Sequence, residues 1–187
     1  LQPLTQFRAK PSVPFGGKYR IIDFTLSNCL HSGLRRILVL TQYKSHSLHK
    51  HLRDGWSVFN PELQEYVTPV PAQKINGDNW YQGTADAIYQ NEYLIKRSNA
   101  EWTIILSGDH IYRMDYASIL KTHQALNADA TIACMKVPIE LANQFGIVTA
   151  DAGQKITEFQ EKPDITEGCS DDKNFALASM GIYIFST

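Results

Sequence analysis

Charged residues that directly follow predicted strands are the first candidates for chemistry in this sequence. Asp109 comes after the apolar run Trp102–Leu106 and a Ser-Gly pair, and Lys162 comes after the predicted strand Ile156–Glu161. Ligands of open parallel sheets bind beyond the carboxyl ends of the strands. A carboxylate beside a glycine suits Mg²⁺ shared with phosphate oxygens, and a lysine meets a phosphate as a point charge. A turn cap for Asp109 and a surface ion pair for Lys162 are the alternative interpretations.

Two further segments are suited to an anion. Residues 1–19 are rich in Pro and Gly, which predicts an irregular loop that carries Arg8 and Lys10. The segment NWYQGTADA (79–87) is a Gly-containing turn that leads into a predicted helix with Thr84 as its N-cap. Its aromatic residues can pack a base or sugar while backbone amides face an anion. A solvated basic loop and ordinary aromatic packing are the alternatives.

Several other chemistries lack their signatures. His46, His49 and His51 have no carboxylate partner at a metal-binding spacing, and no HExxH, GxSxG or Walker A pattern occurs. The chain has 18 basic and 19 acidic residues, for a net charge of -1. This balance gives no global field for nucleic acid or an anionic membrane, so any bound anion must be held locally.

Compartment and size are indicated by composition. The three cysteines are far apart and form no CxxC pair, which favours a reducing compartment over a disulfide framework. No apolar run approaches the roughly 18 to 20 residues of a membrane span, and no signal peptide is recognisable. With 187 residues, 43% of them apolar, the sequence predicts one soluble, cytoplasmic domain over residues 1–187.

Alternating strands and helices predict an α/β fold. A helical pattern runs from Arg20 to an expected C-cap at Gly33, and further predicted helices cover 45–54, 84–97 and 116–126. The predicted strands cover 37–41, 66–70, 102–106 and 130–137. This order implies right-handed crossovers and a Rossmann-like, mainly parallel sheet with helices on both faces. After Pro138, short strands at 147–149, 156–161 and 178–185 predict a mixed-sheet extension of the same domain.

Several blocks of the sequence, taken in order, resemble bacterial glucose-1-phosphate adenylyltransferases. The blocks are Leu4-Thr5, RAKPSVPFGGKYRIIDFTLSNCLHSG (8–33), TQYKSHSL (41–48), NWYQGTADA (79–87), SGDHIYRMDY (107–116), FQEKP (159–163) and ASMGIYIF (178–185). The resemblance implies a GT-A-like nucleotidyltransferase domain. It also implies that ATP and glucose 1-phosphate, with Mg²⁺, give ADP-glucose and pyrophosphate for glycogen synthesis. The block NWYQGTADA looks like the adenylyl branch, although another base specificity is the alternative.

The resemblance assigns roles residue by residue. Asp109 is implied as the metal ligand, Lys10 as a contact to the nucleotide phosphates, and Lys162 as the contact to the sugar phosphate. The implied nucleotide-binding residues are Arg8, Lys10, Gln73, Tyr81, Gly83 and Thr84. The implied glucose 1-phosphate residues are Gly146, Glu161, Lys162 and Ser179.

The sequence also departs from the family pattern. In the family pattern, a strand and a GGxGxR loop come before the position of Leu1. The family's second metal carboxylate and its β-helix domain would lie beyond Thr187. We therefore expect a partial catalytic domain that is inactive alone. The family implies a homotetramer regulated by glycolytic intermediates, but Phe7 replaces an often basic position, which leaves the effector open. A catalytically silent regulatory subunit is a further alternative.

Overall fold

The computed structural model describes residues 2–73, 80–164, 166, 168–169 and 171–187. The chain forms two compact units. The first unit comprises residues 1–103, 107–122 and 187, and the second comprises 104–106 and 123–186. Parts of the predicted loops Gln73–Gly83 and Asp164–Asp172 lie outside the described residues. The assignment of 1–187 to a single domain stays a prediction.

The first unit alternates strands and helices along the chain. Its elements are β1 (Pro14–Phe15), β2 (Tyr19–Arg20), α1 (Ile22–His31), β3 (Arg36–Thr41), α2 (His46–Gly55), β4 (Tyr66–Pro71), α3 (Thr84–Gln90) and α4 (Glu92–Arg97). Strands β3 and β4 are parallel, with Arg36 opposite Tyr66 and Thr41 opposite Pro71. They are joined through α2, as a parallel pair requires a crossover.

A short hairpin corrects the prediction that residues 1–19 are irregular throughout. Strands β1 and β2 pair antiparallel, with Phe15 opposite Tyr19. The connecting Gly16 and Gly17 have φ values of 56° and 90°, a region that glycine enters without steric cost. The breakers that indicated a loop therefore supply the turn of a hairpin.

Helices α1 and α2 cover the parallel pair in the first unit. Ile22 and Leu26 of α1, and Leu48 and Leu52 of α2, are each at most 3% exposed. Each pair is spaced by four residues, so it forms an apolar stripe on one helix face. The partly buried side chains that pack against them are Ile37, Val39, Trp56 and Val67. Burial of one such aliphatic side chain contributes about 1.5–3 kcal/mol.

Asp23 ties α1 to the hairpin and to the end of α2. Its carboxylate accepts hydrogen bonds from the backbone N–H of Arg20 (2.8 Å) and from Trp56 Nε1 (2.8 Å), and it contacts His51 Nε2 at 2.7 Å. Asp23 is 9% exposed. A buried carboxylate with these donors fixes three chain segments to one point.

We expect Asp23→Asn to destabilise this unit. An asparagine keeps one acceptor oxygen and turns an amide N–H₂ toward the donors, which leaves a buried N–H without an acceptor, at a cost of about 1–3 kcal/mol. Urea unfolding followed by circular dichroism measures the change. Asp54→Asn is the control, because the Asp54 side chain is 51% exposed and forms an ion pair with its neighbour Arg53. Equal stability of both variants would contradict the anchoring role of Asp23.

The predicted helix 84–97 is divided at Asn91. Asn91 has φ -110° and ψ 12° and separates α3 from α4. Its side chain is 3% exposed and donates both to the carbonyl oxygen of Ala87 and to the hydroxyl of Tyr81 (2.8 Å each). An Asn side chain that bonds a carbonyl four residues earlier competes with the helical backbone. Gly83, and not Thr84, occupies the N-cap position of α3.

The second unit is built around its last strand. Its strands are β6 (Ala130–Pro138), β7 (Gly146–Ala150), β8 (Ile156–Glu161) and β9 (Phe175–Ser186), and β5 (Trp102–Ile105) and α5 (Tyr116–Ala125) begin in the first unit and end in the second. The sheet order is β5-β9-β7-β8, with β6 also paired to β9. A 3₁₀ helix, Ile139–Gln144, joins β6 to β7. One cluster of buried side chains in this unit comprises Val137, Ala142, Ile147, Ala176 and Ala178.

The α/β class and the mixed sheet are confirmed, with a larger antiparallel share than the sequence pattern indicates. The pairs β6–β9, β7–β8 and β7–β9 are antiparallel. Short turns join strands only in antiparallel fashion, and β7 and β8 are joined by the turn at 151–155. Among the helices of the described residues, none has both the length and the apolar character of a membrane span.

Candidate active site

The first unit brings two predicted site residues together. Lys10 Nζ lies 3.7 Å from Asp109 Oδ2, although the two residues are far apart in sequence. The Lys10 and Asp109 side chains are 60% and 35% exposed. Such an exposed pair contributes little to stability, so its value lies in what it presents to solvent. It places a cation and a carboxylate side by side, which suits a phosphate and its counterion.

Ser107 and Gly108 position the carboxylate from within the same segment. Ser107 Oγ donates to Asp109 Oδ1 at 2.5 Å, and this contact was missed in the sequence, where only the Ser-Gly-Asp order points to it. A Cβ built on Gly108 would lie 3.4 Å from Pro11 Cγ. The Asp109 turn therefore packs closely against the Lys10 turn. This closeness explains why two segments distant in sequence form one site.

Lys10 is held by a turn that is fixed to α2. Lys10–Ser12 form one 3₁₀ turn, and Ser12 is fully buried. Arg20 Nη1 donates to Ser12 Oγ (2.6 Å) and to the carbonyl oxygen of Ser47 (2.8 Å). Ser12 Oγ and Ser47 Oγ are 2.5 Å apart. One guanidinium thus joins the Lys10 turn to α2, so the backbone beside Lys10 is defined while its ammonium stays exposed.

Within the described residues, no hydrogen bond or ion pair joins the other predicted nucleotide residues of this unit to Lys10 or Asp109. Arg8 is half-buried and forms no hydrogen bond or ion pair with Lys10 or Asp109. Gln73 is exposed at the edge of the described residues. The hydroxyl of Tyr81 accepts from Asn91, which orients its ring beside the start of α3.

The turn before α3 is stabilised by an acidic side chain. Asp86 Oδ2 accepts from the backbone N–H of Gln82 at 2.9 Å and from Gln90 Nε2 at 2.9 Å. Gly83 has φ 173°, which is extended backbone, and its carbonyl accepts from the N–H of Ala87. Thr84 is the first helical residue of α3, and the N-cap position, Gly83, has no side-chain capping bond. The roles of Gly83 and Thr84 toward a nucleotide stay predictions.

The second unit gathers its four predicted residues at one end of the sheet. Gly146 of β7 is opposite Glu161 of β8, and Lys162 follows directly. On the other side of β7, Ile147 is opposite Ala178 of β9, so Ser179 follows next to Gly146 in the antiparallel register. Glycine, acid, lysine and serine from three strands therefore lie at the same sheet end.

Lys162 and Ser179 both sit where the backbone departs from a regular strand. Lys162 has φ 46°, while its N–H donates to the carbonyl oxygen of Phe145 at 3.0 Å. A non-glycine residue in this region costs about 1–3 kcal/mol, and such residues cluster at functional sites. In β9 the register to β6 shifts after Ser179, and Ser179 Oγ accepts from the N–H of Gly181 at 3.2 Å. Bulges of this kind re-aim the side chains beside them.

Gly146 leaves space that two side chains of β8 occupy. A Cβ built on Gly146 would lie 2.7 Å from Phe159 Cζ and 3.1 Å from Glu161 Oε2. Phe159 and Glu161 are two residues apart, so they share one face of β8. Phe159 was not singled out from the sequence, where its only signal is this alternation.

We expect Gly146→Ala to displace Glu161 and Phe159, because the added methyl group cannot coexist with their positions. Phe159 is 45% exposed, so its ring can swing outward and the loss of stability should stay near the lower end of about 1–3 kcal/mol. We expect weaker binding of the ligand that Glu161 contacts, about tenfold, measured by calorimetry. The double variant Gly146→Ala/Phe159→Ala should recover much of the affinity. Unchanged affinity in Gly146→Ala would refute the packing argument.

The chain by itself offers few ligands to a metal ion. No group of three or more His, Cys, Asp and Glu side chains in the described part of the chain is arranged to hold one. Asp109 supplies a single, partly exposed carboxylate. Mg²⁺ commonly takes one or two protein carboxylates and completes its shell with phosphate oxygens and water. The donor set therefore fits Mg²⁺ that arrives with a phosphorylated ligand.

Comparison with known proteins gives close relatives. A glucose-1-phosphate adenylyltransferase 2 of Vibrio cholerae is 62% identical over 186 residues, which is 100% of this chain and 46% of that protein. The protein of the same name from Vibrio parahaemolyticus is 61% identical over 185 residues, 99% of this chain and 46% of the relative. A glucose-1-phosphate adenylyltransferase of Pectobacterium carotovorum is 53% identical over 187 residues, 100% of this chain and 44% of the relative. The chain spans less than half the length of these relatives.

The family comparison covers the whole sequence. The family model described as nucleotidyl transferase matches residues 1–187. The match includes both units and every candidate site residue. The chain, with its Lys10–Asp109 pair in one unit and its Gly146–Glu161–Lys162 cluster in the other, belongs to the nucleotidyl transferase family.

Proposed function

We propose that the full-length protein makes ADP-glucose and pyrophosphate from ATP and glucose 1-phosphate. The similarity to proteins named glucose-1-phosphate adenylyltransferase, at 53% and 62% identity, supports this substrate pair. The observation that carries the proposal is the Lys10–Asp109 pair, because it offers a cation and a carboxylate at one point. A triphosphate and its counterion need both.

The reaction is a displacement at the α-phosphorus of ATP. A phosphate oxygen of glucose 1-phosphate forms the new P–O bond, and the bond between the α-phosphorus and the bridging oxygen of the β-phosphate breaks. The electron pair leaves with pyrophosphate, so atoms and charge balance. Positioning and charge stabilisation supply most of the catalysis in such a reaction.

Lys10 binds the nucleotide phosphates in this proposal. Its ammonium is exposed, while its backbone is fixed through Ser12 and Arg20. A fixed cation of this kind stabilises the negative charge that moves to the leaving pyrophosphate. The resemblance supports a role for Arg8, two residues earlier, in binding the same nucleotide.

Asp109 holds Mg²⁺ in this proposal. When bound, Mg²⁺ neutralises charge on the phosphate oxygens. The Ser107 hydroxyl fixes the carboxylate through Oδ1, which leaves Oδ2 as the oxygen on the side of Lys10. Ser107 therefore controls which oxygen of Asp109 is available.

The second unit binds glucose 1-phosphate in this proposal. Lys162 contacts the sugar phosphate. Glu161 accepts hydrogen bonds from sugar hydroxyls, and the hydroxyl of Ser179 donates a hydrogen bond to one of them. Gly146 keeps the backbone open beside them. The adenine is bound by Gln73, Tyr81 and Gly83, with Thr84 at the start of α3. The support for these roles is the resemblance, together with the shared sheet end for the sugar residues.

The setting of the full-length protein follows from the same proposal. We infer a role in glycogen synthesis and assembly as a homotetramer that responds to small phosphorylated effectors. The three free cysteines support a reducing compartment such as the cytoplasm.

The test is pyrophosphate release by the purified full-length protein with glucose 1-phosphate and Mg²⁺. Parallel reactions contain ATP, UTP, GTP or dTTP as the nucleotide. The proposal is supported if the reaction with ATP forms ADP-glucose and the reactions with UTP, GTP and dTTP release no pyrophosphate. Preference for another nucleotide would move the protein to a different base specificity, and no release with any nucleotide would favour a silent regulatory subunit.

A further inference from the structure

Helix α1 has a polar stripe in addition to its apolar one. Thr25, Asn28 and Ser32 recur at the spacing i, i+3, i+7, which places them on one helix face. Thr25 and Asn28 are 6% and 7% exposed. Buried polar side chains in an amphipathic helix require partners, and their partners reveal what the face contacts.

The stripe bonds to the backbone of a single segment, Ser107–Tyr116. Thr25 Oγ1 donates to the carbonyl oxygen of Ser107 (3.0 Å), and Asn28 Nδ2 donates to that of Tyr112 (3.0 Å). Two bonds run the other way. The N–H of Met114 donates to Asn28 Oδ1 (3.3 Å), and the N–H of Tyr116 donates to Ser32 Oγ (2.8 Å).

These bonds follow the same order along the helix and along the segment. The first residue of the stripe meets the first residue of the segment, and the last meets the last, so the segment runs along the helix. Residues 107–115 lie between β5 and α5 in neither helix nor strand. Their backbone groups therefore lack regular partners, and α1 supplies them. Burial raises the pKa of Tyr112 and of Tyr116.

The segment held in this way carries Asp109. The Thr25 bond is to Ser107, whose own hydroxyl donates to the Asp109 carboxylate. Thr25 therefore fixes the residue that fixes Asp109. A displacement of the Ser107 backbone moves the hydroxyl and, with it, the carboxylate orientation.

We propose that Thr25, Asn28 and Ser32 are positioning residues that hold the Ser107–Tyr116 segment and thereby set the metal-binding geometry of Asp109. The inference rests on the proposed function of Asp109. Groups that hydrogen-bond directly to a metal ligand, as Ser107 does to Asp109, typically change metal affinity or activity by roughly 10- to 100-fold when they are removed. Thr25 acts through Ser107, so we expect its effect at the lower end of that range.

Thr25→Val in the full-length protein is the main test, because valine has the same shape and lacks only the hydroxyl. Calorimetry gives the affinity for ATP with Mg²⁺ and with EDTA, and the ratio of the two isolates the contribution of the metal. We expect this ratio to fall about tenfold in Thr25→Val. We expect Thr25→Ser, which keeps the hydroxyl donor, to have the wild-type ratio.

Thr41→Val is the matched control. Thr41 is also 6% exposed, and its hydroxyl bonds to His49 Nε2 at 2.8 Å, away from the segment. We expect it to lower the unfolding midpoint as Thr25→Val does, without changing the Mg²⁺ ratio. Ser32→Ala, at a half-buried position after α1, gives a second variant with a smaller change in the same direction.

The outcomes separate this inference from the proposed function. A Thr25→Val protein with a lower unfolding midpoint and the wild-type Mg²⁺ ratio would overturn the positioning role while the function stands. A wild-type protein that forms no ADP-glucose, and whose ATP affinity does not depend on Mg²⁺, would contradict the function and this inference together.

Discussion

We expect Asp109→Asn to lower the turnover of the full-length protein by roughly three orders of magnitude or more. Asparagine keeps the size and one oxygen of the side chain but removes the negative charge that organises Mg²⁺. The Ser107 hydroxyl can still donate to the remaining oxygen, so the local structure should persist. Pyrophosphate release from ATP and glucose 1-phosphate measures the effect.

Stability is expected to stay nearly unchanged in the same variant. The side chains of the Lys10–Asp109 pair are 60% and 35% exposed, and ion pairs that are open to solvent contribute little to folding. The unfolding midpoint should therefore match that of the wild type within experimental error. This combination distinguishes a catalytic carboxylate from a structural one such as Asp23, which is buried and accepts several hydrogen bonds.

Asp54→Asn is the matched control for Asp109→Asn. Asp54 is another solvent-accessible aspartate in an ion pair, 3.0 Å from Arg53 Nε, and lies in the same unit. We expect normal turnover from it. Pyrophosphate release by Asp109→Asn at a rate close to that of Asp54→Asn would remove Asp109 from the mechanism.

Lys162→Ala has the second large effect, on the binding of glucose 1-phosphate. Hydrogen bonds to charged groups contribute about 1.5–3 kcal/mol, which corresponds to roughly a 10- to 100-fold rise in KM for the sugar phosphate. The KM for ATP should change far less. Among the described residues, Glu161 is the ion-pair partner of Lys162, at 3.9 Å, and the Lys162 side chain is 63% exposed, so a phosphate can reach its ammonium.

The strain of the backbone at position 162 does not differ between the wild type and Lys162→Ala. Lys162 has φ 46°, and alanine carries the same Cβ as lysine, so the strain is equal in both proteins. The loss of stability should therefore be small. Lys162→Arg keeps the charge and should recover part of the affinity, although a planar guanidinium does not replace a point charge.

Lys155→Ala is the control for Lys162→Ala. Lys155 directly precedes β8 and Lys162 directly follows it, and both residues are exposed. The two variants therefore remove the same charge from opposite ends of one strand. Equal KM values for glucose 1-phosphate in these variants, or a rise in KM for ATP alone, would overturn the assigned role of Lys162.

Most elements of the fold were predictable because they depend on neighbours in sequence. The spacing of Ile22 and Leu26 predicts α1, and the apolar run at 102–106 predicts β5 within one residue. The break at Asn91 was not predictable from periodicity. It depends on a side chain that bonds to both Ala87 and Tyr81, and the apolar pattern continues through it.

Strand direction was predicted less well than strand position. Alternation of helix and strand gave the parallel β3–β4 pair, but β6 pairs antiparallel with β9, a strand far along the chain. Pairing between distant strands is decided by the whole sheet. The hairpin of Phe15 and Tyr19 was missed for the opposite reason, because its strands are too short to show a period of two.

The sequence alone determined which residues are chemically competent, and Asp109, Lys10 and Lys162 were singled out by type and by their positions after strands or beside Pro. Only the tertiary structure decided that Lys10 lies 3.7 Å from Asp109 and that the polar face of α1 holds the segment carrying this carboxylate. Residue type and local conformation are encoded by near neighbours. Contacts between distant residues depend on how the elements pack, and no local pattern records that packing.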